Sequence, residues 1–327
     1  MIVTNLCRCA GAALAAMLLL SLAAAPAQAQ LARTFVSNAV GNDANDCNRL
    51  TPCRTFQRAH DNTFANGEIT VLDPGGYGGV TITKAISIIN DGVGEAGVLV
   101  SGGANGITIN ATASDAVSLR GLTIKGIGFG GGRGIVFDSG GSLTVENCAI
   151  RTLTGVVANG ITFEPNGPGS LTVLNTIVSD NAGDGIHVQP GTSGSGNVSV
   201  SLSQVQLINN SFGLVLANGL GSSTVTIDAA VEDGIAAESA NGGFLALSNG
   251  PKSNLMLIRS VAAHNGTSGG IGVQGPNATL RVGQSTITGN AISWKVTSGG
   301  LLQSYGDNNI DGNADGDPAI PTIIAKK

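Results

Sequence analysis

A glycine followed by an apolar residue recurs along the chain at intervals of 28, 26, 25, 28, 30 and 27 residues. The glycines that begin these repeats are Gly106, Gly134, Gly160, Gly185, Gly213, Gly243 and Gly270. Each repeat carries three short runs of alternating apolar and polar residues, separated by Gly, Asn and Ser. A repeat of this size cannot bury its own apolar face, so it must stack on copies of itself. The period therefore predicts a solenoid.

The alternation within each run indicates β-strands, because residues i and i+2 point to the same face of a strand. Three strands per repeat, stacked in register, predict an all-β, single-stranded parallel β-helix of about eight to nine coils spaced ~4.8 Å apart. In this arrangement Ile135, Ile161 and Ile186 lie in one internal column. The alternative is a two-sheet antiparallel sandwich, which the regular period and the lack of two-residue hairpin signals disfavour.

The corners between strands need backbone with positive φ, which explains why Gly accounts for 50 of the 327 residues. Asn181, Asn210, Asn265 and Asn290 fall at equivalent corners. Their side-chain amides are predicted to hydrogen-bond from one coil to the next as a structural ladder.

The formal net charge is −5, and no basic run occurs apart from Lys326 and Lys327. Neither nucleic acid nor an anionic membrane surface is therefore an expected partner.

The first 29 residues have the pattern of an export signal. Arg8 is the positive residue, Ala10–Ala25 is apolar, and Ala27-Gln28-Ala29 is a small-x-small cleavage pattern. Cleavage after Ala29 predicts an exported protein, periplasmic or extracellular, without membrane insertion after signal cleavage. A retained membrane anchor is the alternative, although the apolar run is shorter than the ~20 residues that a span needs.

The rest of the chain divides into a cap at 30–68, the β-helix at 69–304 and a polar cap or tail at 305–327. An amphipathic helix is predicted over Arg54–Ala65, with Phe56 and Phe64 on its buried side and His60 on its exposed side. Cys148 is expected in an apolar strand as a buried packing residue.

Cys47 and Cys53 bracket a short loop that contains a proline. In an oxidising compartment this spacing suits a local disulfide, with two free thiols as the alternative.

The C-terminal segment offers one candidate metal site. Asp311, Asn313 and Asp315 match the first half of a calcium-loop pattern, which makes calcium the candidate cofactor. The position of the closing glutamate is Thr322. The alternative is a polar loop that closes the end of the helix.

The segment from Phe35 to Ile82 contains Gly41-Asn42-Asp43, Pro52-Cys53-Arg54-Thr55-Phe56 and Leu72-Asp73-Pro74-Gly75-Gly76-Tyr77. With the Gly-Ile repeats, it resembles bacterial right-handed parallel β-helix proteins of the pectin-lyase-like superfamily. The resemblance implies a right-handed helix and a group that includes lyases, hydrolases, esterases, epimerases and non-catalytic adhesins. The polygalacturonase motifs Asn-Thr-Asp, Asp-Asp, Gly-His-Gly and Arg-Ile-Lys do not occur, and the nearest string is Asp184-Gly185-Ile186-His187.

Stacking the repeats places Asp138, Glu164 and Gln189 in one outward column, with Thr162 and His187 in the neighbouring one. Two carboxylates one rung apart form a candidate acid/base pair, so Asp138, Glu164 and His187 are the candidate catalytic residues. Adjacent rungs approximate the ~5–5.5 Å that separates the carboxyl groups of a retaining glycosidase. Thr162 and Gln189 are candidate substrate contacts. The alternative is a solvated outer strand face.

A second outward column brings Lys125 beside Arg151, a like-charged pair that suits an acidic polymer. Three functions follow from these patterns. The first is binding of a polysaccharide or cell-surface glycan along a lateral face; the second is a polysaccharide lyase or glycoside hydrolase; the third is a structural or adhesive surface protein without catalysis.

Overall fold

The computed structural model describes residues 30–128, 130–219 and 222–326. These residues form one short helix and thirty strands, which in chain order are β1 (Leu31–Val36), α1 (Phe56–Asn62), β2 (Thr63–Val71), β3 (Gly75–Gly76), β4 (Val80–Ile82), β5 (Ile86–Ile89), β6 (Ala96–Val100), β7 (Ile107–Asn110), β8 (Ala116–Arg120), β9 (Leu122–Gly126), β10 (Ile135–Ser139), β11 (Ser142–Glu146), β12 (Ala149–Arg151), β13 (Ile161–Phe163), β14 (Gly169–Leu174), β15 (Ile177–Ser179), β16 (Ile186–Val188), β17 (Asn197–Ser203), β18 (Gln206–Ile208), β19 (Phe212–Asn218), β20 (Thr226–Glu232), β21 (Ile235–Ala237), β22 (Gly242–Ser248), β23 (Ser253–Ile258), β24 (Val261–Ala263), β25 (Gly269–Gln274), β26 (Ala278–Gly283), β27 (Thr286–Thr288), β28 (Trp294–Thr297), β29 (Leu301–Ser304) and β30 (Asn309–Ile310).

The strands form three sheets, and each winding of the chain adds one strand to each sheet. Sheet A has the order β1-β2-β5-β8-β11-β14-β17-β20-β23-β26-β29, sheet B runs from β3 through every third strand to β30, and sheet C runs from β4 through every third strand to β28. Neighbouring strands on consecutive windings pair in parallel, as β10 does with β13 and β13 with β16. The predicted parallel β-helix with three strands per coil is confirmed, and an antiparallel sandwich is excluded.

The interior is a stack of aliphatic columns. Ile135 pairs with Ile161, and Ile161 pairs with Ile186, so the predicted internal column is confirmed. All three side chains are fully buried. Beside them the rings of Phe137 and Phe163 stack with their centroids 4.4 Å apart. Burial of this kind contributes about 25 cal/mol per Å² of apolar surface, which makes the core the main stabilising element.

The predicted asparagine ladder is also confirmed. The Asn181 side-chain amide donates to the Asn210 side-chain oxygen at 3.0 Å, and Asn265 donates to Asn290 at 2.9 Å. Asn290 in turn donates to Asn313 at 2.9 Å. We call this stack the asparagine ladder. Ser239 occupies the rung between Asn210 and Asn265, where its buried hydroxyl has no hydrogen-bond partner.

Cys148 is buried, as expected, but it lies at a corner just before β12 rather than within a strand. The backbone N–H of Leu122 donates to its sulfur at 3.4 Å, and its own N–H donates to the Thr176 hydroxyl at 3.2 Å. Burial raises the pKa of the thiol to about 11. The side chain therefore acts as one rung of a second corner stack.

The N-terminal end begins with β1, which pairs in parallel with β2, so sheet A begins before residue 69. Cys47 and Cys53 form the predicted disulfide. The loop that leads to α1 is held by Asp43, whose carboxylate accepts the backbone N–H groups of Arg54 and Thr55.

The helix is shorter than predicted, and two of its expected side-chain positions are wrong. It spans Phe56–Asn62, and Phe64 belongs to β2 with half of its surface exposed. His60 is buried instead of exposed. It lies four residues after Phe56 and so on the same helix face, where its Nε2 accepts the backbone N–H of Thr83 at 3.2 Å.

At the other end the windings continue past residue 304, since β30 pairs with β27. The segment after β30 then lies against the last winding. Ile320 is buried, Ser304 forms an isolated bridge with Ile323, and the Trp294 indole donates to the Pro318 carbonyl at 2.7 Å. This segment covers apolar side chains of the last winding.

No helix in the described ranges is long and apolar enough to cross a membrane. The proposed export signal over residues 1–29 lies outside the described residues.

Candidate functional site

The outer face of sheet C carries the polar residues that the sequence places in neighbouring columns. His187 pairs with Thr162 on the preceding winding. The backbone N–H of Glu164 donates to the Phe137 carbonyl at 2.8 Å, which continues the ladder beyond the end of β13. The equivalent bond runs from Gln189 to Phe163 at 2.9 Å. Asp138, Glu164 and Gln189 therefore follow one another on three windings, as predicted.

Thr162 differs from its predicted role as an outward substrate contact. It is completely buried, and the side-chain amide of Asn159 donates to its hydroxyl at 3.3 Å. Val136, which pairs with Thr162 in the same column, is also buried. Thr162 therefore holds the corner in place and has no surface with which to touch a ligand.

His187 is held on both sides by oxygen atoms. Its Nδ1 lies 2.7 Å from the Asp184 carboxylate, and its Nε2 lies 3.1 Å from the side-chain oxygen of Gln189. An imidazole satisfies two acceptors only when both nitrogens carry hydrogen. Burial alone would lower the pKa of His187, but the hydrogen bonds to Asp184 and Gln189 and the negative charges of Asp184 and Glu164 raise it above its usual value. The geometry thus favours an imidazolium ion.

Glu164 lies between two cationic groups. Arg133, just before β10, approaches its carboxylate to 3.6 Å, and both side chains are about a quarter exposed, at 28% and 26%. On the other side Glu164 interacts electrostatically with His187. One rung away, Asp138 is exposed, and Asn110 donates to its carboxylate at 3.0 Å when the amide nitrogen faces it.

These residues form one group, the acid–histidine cluster, which consists of Arg133, Asp138, Glu164, Asp184, His187 and Gln189. It combines an imidazolium, a guanidinium, three carboxylates and an amide on one partly exposed surface. Such a set donates and accepts hydrogen bonds and can move a proton to or from a bound molecule. Of the three carboxylates, those of Glu164 and Asp184 are bound to cations inside the cluster.

Two members of the cluster, Arg133 and Asp184, were not among the sequence candidates. Both lie at corners that precede strands. Neighbouring repeats differ in length there, so the period alone does not show which residues of other windings lie beside them. Asp184 does carry one sequence signal, because it precedes His187 by three residues across Gly185. The structure explains this spacing, because the chain turns at Gly185 and the Asp184 carboxylate then lies beside the His187 ring.

Lys125 and Arg151 are paired as predicted, but on sheet B. Both are exposed, and they belong to a different sheet from the acid–histidine cluster. The structure therefore separates the candidate substrate contacts into two surfaces.

The residues predicted to bind calcium do not converge. The Asn313 oxygen accepts from the Asn290 amide at 2.9 Å as the last rung of the asparagine ladder. The Asp315 carboxylate accepts the hydroxyl of Ser293 at 2.9 Å and its backbone N–H at 2.8 Å. In the described part of the chain no group of three or more His, Cys, Asp or Glu residues could hold a metal ion. The residues present do not fit a calcium loop.

Comparison with known proteins addresses the fold. The family model described as "Right handed beta helix region" matches residues 51–230. The structure resembles that of pectate lyase Pel9A, with a TM-score of 0.59 and 17% sequence identity over 88% of this chain and 81% of that one. A GH136 lacto-N-biosidase from Eubacterium ramulus has a TM-score of 0.47 and 12% identity over 83% of this chain and 56% of that one. No curated protein sequence matches the chain.

Proposed function

This chain belongs to the right-handed β-helix family, and on that premise we propose that it binds a carbohydrate polymer along the outer face of sheet C. The observation that carries the proposal is the acid–histidine cluster. Its carboxylates, amide and imidazolium stand on consecutive windings at a spacing of about 4.8 Å. A polysaccharide presents hydroxyl groups at a comparably regular repeat, and each of these side chains is a hydroxyl partner.

The partial exposure of the cluster supports this reading over a purely structural one. Asp184 and His187 keep 15% and 19% of their side-chain surface exposed, and Glu164 keeps 26%. Binding sites combine a few fixed polar groups with a surface that a ligand can reach. Here the internal hydrogen bonds fix the orientation of His187, while Asp138 remains exposed to a ligand.

The test is a retention panel of neutral and uronate-rich polysaccharides, with and without added calcium, followed by isothermal titration with the retained polymer. We expect Glu164→Gln and Asp138→Asn to weaken binding by about tenfold each, the usual loss for a charge-assisted hydrogen bond. Glu146→Gln, on sheet A, is the matched control and should bind as the wild type does. If no polymer is retained, the proposal fails and the structural or adhesive reading takes its place.

The same panel distinguishes the two surfaces. A double variant of sheet B, Lys125→Ala with Arg151→Ala, should bind as the wild type does. If this variant loses binding and Glu164→Gln does not, the polymer binds sheet B, and the sheet C proposal is wrong.

A second function, cleavage of the bound polymer, is favoured by the hydrogen bond between Asp184 and His187. In this reading the His187 imidazolium gives its proton to the leaving glycosidic oxygen. The Glu164 or Asp138 carboxylate accepts the proton from water in a hydrolase, or from the sugar ring in a lyase. New reducing ends or unsaturated uronates, lost in His187→Gln, would support it. A polymer that remains intact under conditions of full binding would exclude it.

We propose in addition that the protein is exported, with cleavage after Ala29. The disulfide between Cys47 and Cys53 supports this, because such bonds persist in oxidising compartments. The mass and N-terminal residue of the native protein provide the test. A protein that keeps its first 29 residues in the reducing cytoplasm would contradict the proposal.

A further inference from the structure

Sheet C also carries a cavity of about 370 Å³ towards the C-terminal end of the helix. Its wall is partly apolar and partly polar, and the residues that line it include Phe212, Leu245, Gly272, Gln274, Lys295 and Thr297. The volume falls within the range typical of small-molecule sites. None of the side chains mentioned so far as candidates for function lines it.

Two glycines make room for the apolar floor of this cavity. A Cβ at Gly242 would come within 3.2 Å of the Phe212 ring, and a Cβ at Gly272 would come within 3.0 Å of Leu245. Phe212 and Leu245 each pair with a glycine on the next winding, and that glycine has no side chain to fill the space beside them. The result is a shallow, partly exposed floor with one aromatic ring.

The rim supplies hydrogen-bonding groups. Lys295 is exposed, and its ammonium donates to the Thr267 carbonyl at 3.1 Å, which tethers it and leaves two further donors. Gln274 and Thr297 add an amide and a hydroxyl. Among the described residues that line the cavity none is acidic. A hexopyranose ring has an apolar C–H face and a rim of hydroxyl groups, and this wall is complementary to both.

The cavity and the acid–histidine cluster lie on one line. His187 pairs with Val215, Val215 with Leu245, Leu245 with Gly272, and Gly272 with Lys295. Four strand spacings of about 4.8 Å separate His187 from Lys295, or roughly 19 Å. Between the two sites this column carries Val215, which is only 6% exposed, so a ligand on this path passes over the residues that cover Val215. A chain that crosses the strands at the cluster therefore reaches the cavity.

We propose that the Phe212–Lys295 cavity is a second binding centre for the same glycan, in which one hexopyranose ring lies on Phe212 and Leu245 while the chain continues to the acid–histidine cluster. This inference rests on the proposed function and adds that tight binding requires a glycan long enough to reach both sites. Two linked sites bind a ligand that spans both more tightly than either site alone. An extended glycan that advances about one strand spacing per sugar needs about five sugars to do so.

The experiment is isothermal titration of the full protein with oligosaccharides of two to eight sugars, prepared from a polymer that the wild type retains. The wild-type affinity should rise at least tenfold between the trisaccharide and the hexasaccharide, then level off. Phe212→Ala and Lys295→Met should each remove most of this rise and leave trisaccharide affinity within about twofold. Phe64→Ala and Lys252→Met are the matched controls, since both residues are exposed and lie outside the cavity.

The two proposals fail in different ways. If Glu164→Gln weakens binding but Phe212→Ala and Lys295→Met keep the wild-type dependence on chain length, the second centre does not exist and the first stands. If the wild type binds no saccharide, both are overturned. Lys295→Met keeps the test valid should Phe212→Ala unfold, because Lys295 is on the surface, and unchanged circular dichroism of each variant confirms the fold.

Discussion

Two stacks of polar side chains run along this helix, one inside a corner and one on a face, and their hydrogen bonding differs. In the asparagine ladder, Asn265 donates to the Ala236 carbonyl at 2.9 Å and to Asn290 at 2.9 Å, and it accepts the backbone N–H of Ser239 at 3.1 Å. Asn265 and Asn290 are only 2% and 1% exposed. The asparagine donors in this stack have acceptors either in the stack or on the adjoining strand carbonyls.

The acid–histidine cluster is bonded within itself only in part. Asp184, Gln189 and His187 satisfy one another, but Asp138 is exposed and the Arg133–Glu164 contact is loose at 3.6 Å. Buried polar groups need partners because an unpaired one costs about 1–3 kcal/mol. A stack that stabilises the fold therefore pairs its polar groups internally, whereas a stack that binds a ligand leaves some of its polar groups available to that ligand.

The largest loss of stability should come from disrupting the asparagine ladder. Asn265→Ala removes two donated bonds and leaves the Ser239 N–H without its acceptor in a buried corner. We expect the free energy of unfolding to fall by about 3 kcal/mol, measured by urea denaturation. Asn254→Ala, a surface substitution on sheet A, should cost less than about 0.5 kcal/mol. Equal small losses in both variants would mean that the ladder does not stabilise the corner.

A smaller loss is expected from the cluster. Asp184→Asn keeps a hydrogen-bond acceptor for His187 but removes the charge, so it should lower the free energy of unfolding by about 1 kcal/mol below pH 6.5. Asp180→Asn is the control at an exposed corner and should stay within about 0.5 kcal/mol of the wild type. A loss as large as that of Asn265→Ala would show that the cluster is a structural stack.

Filling the gap in the ladder should stabilise the protein. Ser239→Asn places an amide between Asn210 and Asn265, and Gly213 leaves space for it, as Gly185 does for the Asn210 amide. We expect a gain of about 1 kcal/mol in the same denaturation assay. Ser193→Asn, in an exposed loop, should change nothing. A loss of stability in Ser239→Asn would mean that the corner is already filled by packing.

The buried His60 and the partly exposed His187 should respond to pH in opposite directions, with the smallest effects of the set. Burial lowers the pKa of His60, so its contribution to stability is lost as the pH falls below 6.5. The pKa of His187 is raised, despite burial, by Asp184 and Gln189, so its contribution is present below 6.5 and is lost as the pH rises through the folded-state value.

Denaturation across a pH series measures both contributions. His60→Gln should reduce the fall in the free energy of unfolding at acidic pH, and His187→Gln should reduce the fall at alkaline pH. The same slope in wild type and His187→Gln would contradict the imidazolium assignment.

The positions of residues that follow the repeat could be predicted from the sequence, and the positions of residues that depart from the repeat could not. Ile135, Ile161 and the ladder asparagines recur once per repeat, so their stacking follows from the spacing alone. Phe212 precedes a repeat glycine and shares the alternation of the inward-facing Leu214, yet it lines an outer cavity. Its position depends on glycines one winding away, which no local pattern contains.

The corners were the hardest to anticipate. Arg133 and Asp184 lie in connections of differing length, and the partner of Arg133, Glu164, comes from the next winding. His60 carried a usable signal, its spacing of four from Phe56, but the helix was expected to be longer than it is. The predicted calcium residues do not converge for a related reason, since Asn313 continues the ladder instead of forming a loop of its own.

The central claim is that a glycan lies across the strands of sheet C, from the acid–histidine cluster to the Phe212–Lys295 cavity. The direct test is a crystal structure of the protein with a bound hexasaccharide of a retained polymer. The account predicts continuous density across sheet C, with one sugar within hydrogen-bond distance of Glu164 or Asp138 and another stacked on Phe212. Density on sheet B beside Lys125 and Arg151, with sheet C bare, would contradict it.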